Sequence, residues 1–179
     1  MTRSRPPYRQ GEAGLAEMRR GVAIEREQGR IWFLASLEAA LAEAEASVGE
    51  IAASLRRLDD ALAELERTEQ RWYEVEMHRI RAEILLKRDP PNTTAAEQAF
   101  QTAIALAQSQ KARSFELRAA LSLAKLYRAA NRDADAHAVL APAVDGFPPT
   151  HQFPEFAEAQ ALLLALSPRS NACDDPIIR

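Results

Sequence analysis

A chain of 179 residues is long enough for one domain with a sizeable core. Apolar residues make up 47% of it, aromatics only 6%, and there are six glycines, so Ala and Leu dominate and long helices are the natural outcome. A net charge of −3 gives no basic excess for a general nucleic-acid binder, and no apolar run approaches the roughly 20 residues that cross a bilayer.

The start, MTRSRPPYRQ, is basic but lacks the apolar stretch of a signal peptide. Residues 1–10 are expected to be a disordered segment. From residue 11 the spacing turns helical, with Gly14, Met18 and Gly21 on one face. A second helical stretch carries Leu41-Ala42 and Glu45 and stops at Gly49. A third carries Ser54, Leu58 and Ala61. Next comes RWYEVEMHRIRAEILL at 71–86, where two aromatics precede a lone His78 among acids and arginines. Its framework positions are Ala82 and Leu85. The segment DPPNTT at 89–94 breaks the chain. Thr94 then reads as an N-cap, with Glu97 completing a capping box. Ala96, Phe100 and Ala103 follow on one helical face.

Leu123-Ala124, Tyr127, Asn131, Ala136, Leu140 and Ala143 reproduce the spacings of the 41–61 region. Pro142 falls inside that last helix and is expected to kink or end it. PEFAEAQALLLALS at 154–167 reads as a closing helix, with Pro154 tolerated in its first turn. Residues 168–179, which hold the one cysteine, Cys173, read as a disordered polar tail. A single cysteine makes no intrachain disulfide, so the default location is the cytoplasm.

The small residue that opens each second helix stands at 14, 54, 96 and 136, with separations of 40, 42 and 40 residues. Each unit is therefore a pair of helices. Close helix crossings admit only Ala, Gly or Ser, which accounts for Ala42, Ala82, Ala124, Ser54, Ala96 and Ala136. A two-helix unit cannot bury its apolar face alone, and stacking several units makes a continuous core. The expected fold is all-α: three full helix pairs, an N-terminal half-unit and a closing helix over 11–167.

This pattern resembles the tetratricopeptide repeat, most clearly from Leu123 to Pro148. The usual repeat is about 34 residues, so these units are longer. The phrases GLAEMRRGVAIEREQG, LDDALAELERTEQRWYEVEMHRIRAEILL, AEQAFQTAIALAQSQKARSFELRAALSLAKLYR and DAHAVLAPAVDGF look like the C-terminal helical repeats of bacterial signalling ATPases, some of which carry an adenylate/guanylate cyclase domain. The resemblance implies a non-catalytic scaffold that binds a protein or peptide partner. It also implies a detached tail, or a fragment, of a larger ancestor. The ATPase or cyclase activity itself is not carried over, because neither G-x-x-x-x-G-K-[ST] nor G-x-G-x-x-G occurs.

Other chemistry finds little support. His78, His137 and His151 are too far apart for a sequence-local metal site, and no C-x-x-C or H-x-x-x-H is present. Glu74 and His78, four apart, read as an ordinary helix-surface pair. Cys173 has no adjacent base, and no G-x-S-x-G elbow occurs. Neither an enzyme nor a cofactor is expected.

In the architecture that the resemblance implies, the first helices line a concave groove. Glu43 and Ala39 would face it from the first unit. Glu76, Arg79, Glu83 and Lys87 would face it from the second. Arg118, Leu121, Lys125 and Arg128 would face it from the third. An acidic group could dock beside Arg79, Arg118, Lys125 and Arg128; alternatively, the face is solvated and its charges pair in place. The N-terminal half-unit leaves an apolar face that a second copy could cover, so a homodimer with no other ligand is the competing expectation.

Overall fold

The computed structural model describes residues 7–29, 33–69, 71–145, 147 and 153–167, with residues 7–10 in backbone only. These residues form eight α-helices and no strand: α1 (Pro7–Glu27), α2 (Leu34–Ser47), α3 (Ile51–Thr68), α4 (Glu74–Arg88), α5 (Thr94–Gln110), α6 (Arg113–Ala129), α7 (Asp133–Asp145) and α8 (Pro154–Leu166). The all-α expectation holds. Among the described residues no helix is long and apolar enough to cross a membrane. Helix α1 already begins at Pro7, inside the segment expected to be disordered. The 168–179 tail, Cys173, His151 and Pro148 lie outside the described residues.

Packing arranges the helices in two rows. Each helix packs on its sequence neighbour, and α2, α4, α6 and α8 also touch in succession. Helices α3, α5 and α7 form the other row, each between two of these. Several helix ends close in a left-handed turn. Gly49 (φ +91°) and Asn131 (φ +58°) adopt left-handed backbone after α2 and α6. The next amide then donates back into the last turn, Glu50 N to Glu45 O at 2.9 Å and Arg132 N to Tyr127 O at 2.9 Å. This closure satisfies carbonyls that a helix end leaves unpaired. Lys111 (φ +55°) does the same after α5, with Ala112 N donating to Ala107 O at 2.8 Å.

The repeat positions are the core. Ala42, Ala82, Ala124, Ser54, Ala96, Ala136, Leu58 and Leu140 are all 0% exposed, and Phe100 is 1%. Ser54 shows why small residues stand there: its hydroxyl donates to Ala42 O at 2.7 Å, a distance only close helices allow.

Two local expectations are corrected. Pro142 does not end α7, which runs on to Asp145. Thr94 and Glu97 form no capping box: α5 has no side-chain cap hydrogen bond. The Glu97 carboxylate instead accepts from the Tyr127 hydroxyl at 2.7 Å and from Arg132 Nη1 at 3.0 Å, which ties α5 to the end of α6. Trp72 and Tyr73 lie in a 3-10 turn before α4, and Tyr73 packs edge-on against Phe115 of α6 at 6.0 Å between centroids.

Candidate functional site

The row α2–α4–α6–α8 gathers most of the charged residues that the sequence placed in the groove. Arg79 of α4 is at the centre. It is buried, and its Nε and Nη2 donate to Glu76 Oε1 at 3.0 and 2.8 Å. Its Nη1 donates to Glu83, and its Nη2 lies 3.7 Å from Glu43 Oε1 of α2. Arg118 of α6 reaches the same Glu76 Oε1 at 2.8 Å and lies 3.7 Å from Glu155 of α8. Ser122 of α6 donates to Glu83 at 3.1 Å. Burial works against the Arg79 charge, but hydrogen bonds and the charges of Glu76 and Glu83 outweigh it and hold the guanidinium more firmly protonated than usual. Burial raises the Glu43 carboxyl, with Arg79 acting the other way. Glu76 Oε2 is buried with no hydrogen-bond partner, which costs on the order of 1–3 kcal/mol.

This geometry changes the expected electrostatics. Arg79 and Arg118 are bound to four glutamates of the chain itself, Glu43, Glu76, Glu83 and Glu155. The alternative in which charges pair in place describes these two arginines. Lys125 is exposed but sits 2.8 Å from Glu158 of α8. With Arg128, Ala129, Ala161 and Leu162, this pair lines a cleft of about 530 Å³ between α6 and α8. Lys87, Arg128 and Glu43 are exposed. Leu121 and Ala39 are not groove residues: they are 3% and 0% exposed and belong to the core. Both lie on the sides of their helices that meet neighbouring helices.

A second charged cluster joins α1, α2 and α3. Glu38 and Glu45 of α2 are 2% and 1% exposed. Arg57 of α3 bridges them, with Nη1 to Glu38 Oε2 at 2.7 Å, Nε to Glu45 Oε2 at 2.9 Å and Nη2 to Glu45 Oε1 at 2.8 Å. Arg26 and Arg19 of α1 complete it, to Glu38 at 2.5 Å and to Glu45 at 3.0 Å. Burial pushes the Glu45 carboxyl up, but hydrogen bonds from Arg57 and Arg19 win and hold it below its usual range. The sequence carries one signal for this cluster. Glu45 stands where Leu85 and Tyr127 stand in the later units, so a charge occupies a core position.

His78 is half-buried, and burial lowers its pKa. Its expected partner Glu74 is taken by Arg71, whose Nε and Nη2 donate at 2.8 and 3.0 Å. Among the described residues no group of three or more metal-ligating side chains comes together.

Comparison with protein-family models, with curated proteins and with solved structures finds no match to this chain.

Proposed function

We propose that this chain is a non-catalytic interaction module of the tetratricopeptide type, related to the regulatory tails of signalling ATPases and cyclases. In this reading it is a solenoid of three helix pairs flanked by a half-unit and a closing helix. The succession of contacts α2–α4–α6–α8 supports the reading most directly. A row of helices that touch one after another leaves one continuous face for an extended protein or peptide segment. The exposed charge on that face is mixed: Glu43 suits a basic group of the partner and Lys87 and Arg128 suit an acidic one, whereas Arg79 and Arg118 are not open to it. Those arginines are already paired, while Glu43 stays exposed at the edge of the cluster.

The test is affinity capture with Glu43→Lys and with Lys87→Glu/Arg128→Glu, all at exposed positions. Glu43→Lys and the double variant are each expected to weaken capture of a partner segment that carries both charges. A partner set identical across wild type and both variants would remove this face from consideration.

A further inference from the structure

The two ends of the stack expose complementary halves of one unit. In α3, α5 and α7 the face that meets the unit's own first helix is closed: Ser54 and Leu58, Ala96 and Phe100, and Ala136 and Leu140 are at most 1% exposed. The matching residues of α1 are Gly14 and Met18, followed by Gly21 where Ala103 and Ala143 stand. Gly14 and Gly21 are exposed, and Met18 is 38% exposed. A Cβ added at either glycine would meet nothing within 4 Å. The other face of α1, with Leu15 and Val22, is buried against Leu41 of α2. So α1 packs forward as the second helix of a unit does, while the side for a first helix stands open.

At the far end the situation is reversed. Helix α8 packs on α6 and α7 as a first helix does. Its Leu164-Ala165 repeats the Leu41-Ala42 and Leu123-Ala124 pairs, which are at most 1% exposed in their own helices. Leu164 is 79% exposed, the most exposed large apolar side chain among the described residues, and Ala165 is exposed too. We propose that α8 of one copy and α1 of the next form the helix pair that neither completes within its own described fold, so that copies of this chain join head to tail. The occupant of each open face is thus a second copy. The contact continues the packing that already joins α2 to α3, α4 to α5 and α6 to α7. Glycines on one side admit the close approach that Ser54 makes to Ala42 inside the chain. Such an interface is heterologous: each copy keeps one free end, and assembly proceeds by addition. It uses a different surface from the face proposed above, so either can fail alone.

Sedimentation velocity on the 179-residue chain over a wide concentration range tests the proposal. The wild type is expected to sediment faster as concentration rises. Met18→Glu and Leu164→Glu, both at exposed positions, are each expected to stay monomeric. Mixed one to one, they should form a dimer that grows no further, because each variant blocks only one end. Gly21→Gln should also lose association while its helical circular dichroism stays at or above that of wild type, which separates a blocked interface from a failed fold. A wild type that remains monomeric throughout overturns the proposal. So does a Leu164→Glu variant that still dimerises while Met18→Glu does not, which would mean α1 pairing with α1.

Discussion

At the scale of single residues, buried charge is the main feature. Arg57 neutralises two glutamates that are almost wholly removed from water. Removing one partner of a buried pair leaves an uncompensated charge, at a cost of about 3–5 kcal/mol. Arg57→Leu is expected to lower stability by about 3 kcal/mol, near the bottom of that range, because Arg26 and Arg19 still reach Glu38 and Glu45. Adding Glu45→Leu should recover part of that loss, since apolar replacement of a whole pair is often neutral. Urea unfolding of the single and double variants checks both. Acid should act on the same residues. Glu45 has a folded pKa below its unfolded value, so its contribution is full above the carboxylate range and lost as pH falls through it. His78 is also lowered, from a reference of 6.5, so its contribution is present above pH 6.5 and lost below. Glu43 is raised and acts in the opposite sense, losing its contribution as pH rises. Between pH 7.5 and 5.5 His78 is the group among these that makes stability fall with pH, because Glu45 is held below its usual range and Glu43 acts in the opposite sense. His78→Gln should therefore flatten the fall in stability across that window.

At the scale of elements, a helix holds because its neighbours cover it. Phe100 is 1% exposed in the main cluster, alongside Leu58 and Leu140. Truncation of a buried aromatic costs about 3–5 kcal/mol. Phe100→Ala is expected to fall in that range by chemical denaturation, since α5 is held between α4 and α6. A loss below 1 kcal/mol would mean that α5 repacks freely. The elements also separate what was legible in sequence from what was not. Ala42, Ala82, Ala96, Ala124 and Ala136 were legible because a close crossing admits few residue types. Glu97 was not. Its spacing from Thr94 matches a local capping box, but the hydroxyl of Tyr127, distant in sequence, competes for the carboxylate and wins.

At the scale of the whole molecule, each helix touches only near neighbours, so stability should be graded along the stack. Among the described residues, helix α1 packs mainly on α2 and α8 mainly on α6 and α7, whereas α4 and α6 each meet four other helices. Native-state hydrogen exchange is expected to be fastest in α1 and α8 and slowest in α4, α5 and α6. Uniform protection from α1 to α8 would argue against this order, or show that the end helices are covered in solution.

The sequence by itself determined the helices, their pairing and most of the core, because helical periodicity and the need for small residues at close crossings are local demands that residue types reveal. The tetratricopeptide resemblance put Glu43, Glu76, Arg79, Glu83 and Arg118 in one neighbourhood but did not give their pairing. Only the tertiary structure decided that Arg79 and Arg118 are bound by the chain's own glutamates, that Leu121 and Ala39 turn into the core, and that Glu38 and Glu45 are neutralised from both sides. The physical reason is that a charge chooses partners by distance and burial in three dimensions, and residues far apart in sequence compete on equal terms with those one turn away.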